Sequence, residues 1–193
     1  MNHGLFGGAF NPVHHGHLIV AQHLVQSLEL DRLDLVPTYA PPHRDEPTAS
    51  FTSRVDMLKQ ATEDNPVLTV STVESELEEP TYSYKLLNHY REKYPDRSLL
   101  FFVGMDELIS FKDWKQWNKI LDRFNVVGIE RPGYSMSSVP EEIREKIELS
   151  SVPRIEISAT NIRNRVKSGE AIRYFTPQNV IRYIQSHSLY SGD

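Results

Sequence analysis

The chain has 193 residues and no cysteine. Disulfide bonds, zinc–thiolate sites and cysteine nucleophiles are therefore excluded. No Lys or Arg precedes Arg32, and no long apolar run follows. We therefore find no signal peptide and no membrane-spanning segment, and we expect a cytoplasmic protein without a membrane partner.

Positive charge is also scarce, because 21 Lys and Arg residues face 26 Asp and Glu residues and give a net charge of −5. This balance argues against a nucleic-acid partner, although it leaves room for phosphate ligands in local sites. Repeats, low-complexity tracts and linker-like stretches are absent. We expect one domain over residues 1–193, with a helical segment from about residue 158. A homo-oligomer is compatible with this composition.

Short β-like runs alternate with helical periodicity along the chain. Apolar residues recur at helical spacing near residues 18–28, 55–61, 84–90 and 114–121, and two more helices close the chain. This alternation predicts an α/β fold of the Rossmann-like, doubly wound kind, in which a mostly parallel sheet has helices on both faces. Ligands then bind at the carboxyl ends of the strands, near a switch point. Strands are predicted at residues 4–6, 33–36, 67–70, 99–103, 124–129 and 154–157.

The most informative stretch covers residues 7–17, between the first predicted strand and the first helix. Gly7 and Gly8 allow the backbone to approach a ligand closely. The N-terminus of the following helix offers free N–H groups and a positive dipole end, which suit phosphate. Gly16 removes a side chain, so that a phosphate chain can lie against the backbone.

His14 and His17 lie three residues apart, so in a first helical turn they share one face. Six of the eight histidines fall within the first 43 residues. A zinc site built on His14, His15 and His17 competes with a phosphate site. The chain, however, has no His-Glu-x-x-His pattern and no obvious segment for a third ligand. The stretch fits neither a dinucleotide-binding Gly-x-Gly-x-x-Gly fingerprint nor a P-loop.

The pattern Gly-Gly-x-Phe-x-Pro-x-His-x-Gly-His resembles the signature of the HxGH nucleotidyltransferase superfamily. The most similar branch is the nicotinate-mononucleotide adenylyltransferases, in which Asp is common where this chain has Asn11. The resemblance implies that His14 and His17 contact the triphosphate of ATP near the reacting centre. It also implies that Gly7, Gly8, Phe10 and Gly16 belong to the ATP site.

A second phosphate motif covers residues 157–163, where the sequence reads Ile-Ser-Ala-Thr-Asn-Ile-Arg. Ser158 is a plausible N-cap, and Arg163 adds a fixed positive charge just inside the new helix. The stretch resembles the family's Ile-Ser-x-Thr-x-Ile-Arg motif. This likeness implies that Arg163, helped by Ser158 and Thr160, holds the β- and γ-phosphate oxygens.

Two further elements resemble the acceptor side of the family's site, and a third, Gly104 with Asp106, resembles part of the ATP site. Residues 41–44 read Pro-Pro-His-Arg, with Arg44 in place of the family's Lys, and suit an acceptor phosphate. Residues 81–83 resemble an element near the acceptor's base, although Lys85 and Leu86 depart from the pattern. Gly104 and Asp106 follow a buried strand, where a carboxylate can bind ribose hydroxyls of ATP. The acceptor-binding residues implied are His43, Arg44, Thr81, Tyr82, Ser83 and Trp114.

Trp114 and Trp117 fall on one predicted helix and so can project to similar sides. Two tryptophans on one helix face usually indicate packing. The resemblance implies that Trp114 stacks on the acceptor's pyridine ring, and we expect Trp117 mainly to pack.

The reaction implied is transfer of AMP from ATP to nicotinate mononucleotide, with Mg²⁺ brought largely by ATP and no metal site of the protein's own. Nicotinamide mononucleotide or phosphopantetheine are alternative acceptors within the superfamily. A non-catalytic nucleotide-binding module would bind ATP without releasing pyrophosphate. An NAD-dependent oxidoreductase is disfavoured, because the dinucleotide fingerprint is absent.

Overall fold

The fold was analysed in a computed structural model that describes residues 1–40, 48–131 and 133–192. Its centre is a six-stranded sheet with the order β3-β2-β1-β4-β5-β6. Every pairing between neighbours is parallel. The strands are β1 (Asn2–Gly8), β2 (Arg32–Pro37), β3 (Leu68–Val70), β4 (Ser98–Gly104), β5 (Asn125–Ile129) and β6 (Glu148–Ser150).

Helices cover both faces of this sheet, as the alternating pattern predicts. One core joins the sheet to α1, α2, α7 and α8, and the other joins it to the helices from α3 to α6. None of the helices within the described ranges is long and apolar enough to cross a membrane. The helices are α1 (His15–Ser27), α2 (Phe51–Ala61), α3 (Ser83–Lys93), α4 (Met105–Ile109), α5 (Trp117–Arg123), α6 (Glu141–Arg144), α7 (Ala159–Lys167) and α8 (Gln178–Ser186).

The order of the strands reverses between β1 and β4. Chain connections leave these two neighbouring strands toward opposite faces of the sheet, which opens a crevice at their carboxyl ends. β1 ends at Gly8 and β4 ends at Gly104. The two glycine-containing segments singled out in the sequence therefore border the same crevice.

The prediction of a strand at residues 154–157 is wrong. This segment has no strand pairing and runs in irregular form up to α7, while the sixth strand is Glu148–Ser150. Arg154 and Glu156 are exposed, whereas Ile155 and Ile157 are partly buried. The alternation is real, but it reflects packing of isoleucines against the protein rather than pairing of the backbone.

The expectation that Trp114 and Trp117 share a helix is also wrong. Trp114 follows a short 3₁₀ turn over Phe111–Asp113 and has an extended backbone. Gln116 then adopts a left-handed conformation with φ 57°, and α5 begins only at Trp117. The two indole rings consequently belong to different local structures.

Candidate active site

The first phosphate motif forms a loop and a helix start at the end of β1. His14 is the N-cap of α1, and its ring stacks on that of His17 with a centroid distance of 3.7 Å. Gly16 permits this packing, since a Cβ atom there would stand 3.0 Å from His14 Nδ1. The same Cβ would stand 3.6 Å from the carbonyl oxygen of Ile157, so the two phosphate motifs approach each other at Gly16.

Both histidines are held in the neutral form. Burial, together with the charges of Arg131 and His15, lowers the pKa of His14 from 6.5 to about 4. Burial, with His14 and Arg131 nearby, lowers the pKa of His17 well below 6.5. The backbone N–H of His14 donates to His17 Nδ1 at 3.3 Å, so the neutral ring of His17 carries its proton on Nε2.

Phe10 packs against His17, one member of the histidine pair. Its side chain is only 1% exposed, and its ring meets that of His17 edge-on at 4.9 Å. Its backbone has φ 46°, an uncommon conformation for a residue with a side chain. Any part that Phe10 has in a nucleotide site is therefore exerted through the backbone and through His17.

Arg163 joins the second phosphate motif to the first. Its guanidinium donates through Nη1 to the carbonyl oxygen of Asn11 at 2.8 Å and through Nη2 to Thr160 Oγ1 at 3.1 Å. Ser158 is the N-cap of α7 and accepts a hydrogen bond from the N–H of Asn161 at 3.1 Å. The helix starts of α1 and α7, with the Arg163 guanidinium between them, are the candidate anion site and are called the phosphate surface below. In α1 the N–H of His15 already donates to the carbonyl oxygen of Phe175, and that of His17 to the carbonyl oxygen of His14, both at 3.0 Å.

Side chains from distant parts of the chain hold the loop over residues 9–13, and two of them, Arg54 and Thr176, carry no local sequence signal. Arg54 donates to the carbonyl oxygen of Ala9 at 2.8 Å, and Thr176 donates to that of Val13 at 2.7 Å. With Arg163 on Asn11, three alternate carbonyl oxygens of the loop are occupied by protein donors. An approaching phosphate therefore meets fewer free carbonyl dipoles.

Asn11 itself is fixed by its side chain. Its Oδ1 accepts from the Tyr190 hydroxyl at 2.8 Å and from the N–H of Ala49 at 3.3 Å, while its Nδ2 donates to Thr48 Oγ1 at 3.2 Å. An asparagine can satisfy this mixed set because it has both an acceptor and a donor. Asn11 thus couples the loop to the segment before α2 and to the C-terminal segment.

At the other border of the crevice, Asp106 lies in the first turn of α4. Its Oδ2 forms an ion pair with Arg131, whereas its Oδ1 is buried without a hydrogen-bond partner among the described residues. Gly104 permits this placement, because a Cβ atom there would stand 2.6 Å from Asp106 Oδ1. The unpartnered oxygen can accept a hydrogen bond from a ligand hydroxyl.

A cavity of about 210 Å³ lies at the carboxyl ends of β1 and β4. It brings together most of the residues assigned to acceptor binding, and Trp114 forms part of its wall. The Trp114 ring packs at 4.8 Å from Phe111, which holds the indole in place. His43 and Arg44 lie outside the described residues. The cavity is lined by Thr81, Tyr82, Ser83, Leu86 and Trp114, and also by Gly7, Gly8 and Gly104, which the resemblance assigned to the ATP site. The structure thus places these three glycines at the wall of the proposed acceptor cavity.

Glu74 also lines this cavity and was missed in the sequence. Its buried carboxylate accepts from the N–H of Tyr39 at 2.8 Å and from the Thr81 hydroxyl at 3.2 Å. Burial raises its pKa, although these two hydrogen bonds oppose the change. No local pattern marks this glutamate, because its partners lie 35 and seven residues away.

A larger groove of about 590 Å³ lies beside α1 and α2, lined by amide, acidic and apolar side chains such as Gln22, Glu63 and Ile19. Its described lining contains no Lys or Arg, so it suits a triphosphate poorly. Within the described ranges, no group of three or more His, Asp and Glu side chains could enclose a metal ion. The crevice between β1 and β4 is therefore the better candidate for an active site.

Known proteins resemble this chain along most of its length. A model of the cytidylyltransferase-like family matches residues 5–165. A protein of Enterococcus faecalis named probable nicotinate-nucleotide adenylyltransferase is 40% identical over 191 residues, which cover 98% of this chain and 85% of that protein. The nicotinate-nucleotide adenylyltransferase of Salmonella typhi is 34% identical over 206 residues, with 96% and 97% covered.

The fold is matched by a solved structure as well. The nicotinic acid mononucleotide adenylyltransferase of Plasmodium falciparum, complexed with NaAD, superposes with a TM-score of 0.83 over 98% of this chain and 97% of that one, at 20% identity. At this identity the likeness supports the fold alone, whereas the bacterial relatives carry the family assignment. The chain therefore belongs to the cytidylyltransferase-like family, in the group of the nicotinate-nucleotide adenylyltransferases.

Proposed function

We propose that this protein transfers the adenylyl group of ATP to nicotinate mononucleotide and releases nicotinate adenine dinucleotide and pyrophosphate, as a step of NAD biosynthesis. The proposal rests mainly on the hydrogen bond from the Arg163 guanidinium to the carbonyl oxygen of Asn11. It joins two phosphate-accepting helix starts beside a ring-sized cavity at the switch point. The names of relatives that align along nearly the whole chain support the same reaction.

The chemistry needs little from the protein beyond positioning and charge. A phosphate oxygen of the acceptor attacks the α-phosphorus of ATP, the bond between that phosphorus and the bridging oxygen breaks, and pyrophosphate leaves with the bridging oxygen. The second pKa of a phosphomonoester lies near 6, so the nucleophile is already anionic at neutral pH. No general base is needed, and catalysis rests on alignment and electrostatic stabilisation.

The neutral histidines fit this task as hydrogen-bond donors. His17 keeps Nδ1 occupied by a backbone N–H, which leaves its Nε2–H to donate to a phosphate oxygen. Its ring is fixed between His14 and Phe10, so little reorganisation is needed during the reaction. Arg163 sits at the junction of the two helix starts, where the β- and γ-phosphates would lie, with Ser158 and Thr160 beside it.

The two borders of the crevice would bind the ribose of ATP and the pyridine ring of the acceptor. The unpartnered oxygen of Asp106 is placed to accept from a ribose hydroxyl of ATP. The cavity beside Trp114 accepts the pyridine ring, since 210 Å³ is less than the roughly 300 Å³ typical of small sites for whole ligands. The ring would enter the cavity, and the sugar and phosphate of the acceptor would point toward the histidines.

Mg²⁺ belongs to this proposal as an ion that arrives with ATP. The described residues near the phosphate surface are His and Arg rather than a carboxylate cage, so they fit the phosphates themselves and leave the ion to the nucleotide. When bound, Mg²⁺ neutralises charge on the pyrophosphate group. Activity should vanish with EDTA and return with Mg²⁺, while the protein without ATP should bind Mg²⁺ weakly in calorimetry.

The proposal also covers the cellular setting of the protein. We propose a cytoplasmic location and no nucleic-acid partner, and the excess of acidic over basic residues supports the second point. Fractionation of cells and sedimentation of the purified protein would test the location and a homo-oligomeric state.

The decisive experiment measures pyrophosphate release from ATP with four acceptors side by side: nicotinate mononucleotide, nicotinamide mononucleotide, phosphopantetheine and water alone. We expect fast release with nicotinate mononucleotide and formation of the dinucleotide by mass spectrometry. Release with phosphopantetheine instead would assign the chain to another acceptor. ATP binding without release in any mixture would indicate a non-catalytic module.

A further inference from the structure

We infer that Tyr190 is a positioning residue for ATP, because its hydroxyl, acting through Asn11, holds in place the carbonyl oxygen to which Arg163 is bonded. The inference rests on the proposed function and adds to it a residue that lies outside the two phosphate motifs. Tyr190 would act on the substrate only through Asn11 and Arg163, so its effect should be confined to the binding of ATP.

Asn11 connects Tyr190 to Arg163 because its side chain and its main chain are bonded to different partners. Its Oδ1 accepts from the Tyr190 hydroxyl at 2.8 Å, and its carbonyl oxygen accepts from Arg163 Nη1 at 2.8 Å. The bond from Tyr190 is shorter than those that the Asn11 side chain forms with Ala49, at 3.3 Å, and Thr48, at 3.2 Å. Because the side chain and the carbonyl group are joined at one Cα atom, a fixed side chain restricts how far the carbonyl group can turn.

The backbone after α8 directs the Tyr190 ring back toward the protein. The N–H of Leu189 donates to the carbonyl oxygen of Ile184 at 3.0 Å, and Ser188 and Tyr190 have left-handed backbones with φ values of 50° and 62°. Such conformations are uncommon for residues with a side chain and persist where neighbouring contacts fix them. Leu189 and Tyr190 supply these contacts by packing against the core that contains α1, α7 and α8. The ring is therefore held beside the loop over residues 9–13.

The surroundings of Tyr190 keep it a neutral donor. Burial raises the pKa of the Tyr190 hydroxyl above its ordinary value, although the positive charges of Arg163 and Arg54 act in the opposite direction. The hydroxyl therefore keeps its proton at neutral pH and donates to Asn11 without bringing a negative charge to the phosphate surface. Arg163 itself donates to two uncharged groups, the Asn11 carbonyl and the Thr160 hydroxyl, so its positive charge stays available to the phosphates of ATP.

The test compares Tyr190→Phe with a matched control, Tyr183→Phe, which removes the same hydroxyl group from α8. The Tyr183 hydroxyl donates to Asp56 Oδ2 at 3.1 Å, so the control also loses a hydrogen bond between distant parts of the chain, but not one to Asn11. We expect Tyr190→Phe to raise the KM for ATP about three- to ten-fold, which is about 0.7–1.4 kcal/mol, because Arg163 would hold the β- and γ-phosphates less firmly. The kcat and the KM for the acceptor should stay unchanged, and Tyr183→Phe should leave all three values at those of wild type.

A second comparison tests whether Tyr190 acts through Arg163. In a protein that already carries Arg163→Ala, adding Tyr190→Phe should not raise the KM for ATP further, because the guanidinium that Tyr190 positions is gone. If the two single effects multiplied in the double variant, Tyr190 would act by another route and the inference would be overturned.

Thermal melting and ATP titration separate positioning from a purely structural role. Tyr190→Phe keeps the ring that packs against the core, so the variant should fold. A variant that melts earlier than wild type but keeps the wild-type KM for ATP would overturn the role of Tyr190 in positioning. Calorimetric titration with ATP alone should show the same loss of affinity, and it needs no turnover. If wild type released no pyrophosphate with nicotinate mononucleotide, the proposed function would fail, whereas this titration would still decide the role of Tyr190.

Discussion

Gly7 offers a sharp test of where the acceptor lies, because its substitution separates binding from folding. A Cβ atom built on Gly7 meets no other atom within 4 Å, and Gly7 does not have a positive φ. Gly7→Ala should therefore not strain the fold. The smaller backbone entropy of the unfolded chain should raise the free energy of unfolding by about 0.4–1 kcal/mol. The melting temperature should then rise by roughly 1–4 °C.

The added methyl group projects into the ring cavity, however, and so occupies space that the acceptor needs. Inserting a methyl group into a filled site costs about 1–3 kcal/mol. The KM for the acceptor should therefore rise roughly 5- to 150-fold. Steady-state kinetics with each substrate varied in turn, together with thermal melting, measure both effects.

Gly4 in the same strand provides the control. A Cβ atom there would stand 2.6 Å from Leu33 Cδ1, 2.7 Å from Phe102 Cε2 and 2.8 Å from Leu30 Cδ1. Gly4→Ala should lower the free energy of unfolding by about 1–3 kcal/mol, with substrate binding by the remaining folded protein unaltered. If Gly7→Ala kept wild-type KM values for both substrates, the acceptor would not lie against β1 and our placement would be refuted.

The remaining predictions concern the phosphate surface and the ring wall. His17→Ala should lower kcat by about 10²–10³ with the fold intact, as loss of a preorganised donor does, and unchanged turnover would remove His17 from the mechanism. Arg163→Ala should raise the KM for ATP far more than that for the acceptor, and the reverse would exchange the two subsites. Trp114→Ala should raise the acceptor KM roughly 5- to 150-fold through lost stacking of about 1–3 kcal/mol, whereas Trp117→Ala should change melting but not KM. Because the pKa of His14 falls from 6.5 to about 4 on folding, the unfolded chain takes up the proton first as the pH drops. On the order of 3 kcal/mol of the free energy of unfolding should then be lost between pH 6.5 and 4. Urea titrations at both pH values should show a smaller loss for His14→Gln than for wild type. An equal loss in the two proteins would contradict this.

Much of the fold could be predicted because its elements carry local signals. The apolar run that ends at Gly104 is a strand covered on both faces, and Ser158 caps a helix as its residue type suggests. The prediction of a strand at residues 154–157 is wrong because an alternation of apolar and polar side chains does not require a paired backbone. The true edge strand, Glu148–Ser150, has one apolar residue, Leu149, which is 42% exposed.

The site was predicted in part for the same reason. The glycine and histidine motif is contiguous, so its residues are visible together in the sequence, although their individual roles stay predictions. Glu74, Arg54 and Thr176 act through partners that only the fold brings near, and isolated polar residues give no such signal. The separation of Trp114 from Trp117 depends on a left-handed Gln116, which has no sequence signature.

The contacts that hold the loop over residues 9–13 also have a consequence for how the protein folds. Arg163, Thr176 and Tyr190 reach this loop across 152, 163 and 179 residues of chain. Contacts at such separations carry a high cost of loop closure and form late. We therefore expect the parallel sheet and the first helices to assemble before the phosphate surface is complete. On refolding from urea, the helical signal in circular dichroism should recover ahead of ATP binding, and recovery of both at the same rate would contradict this order.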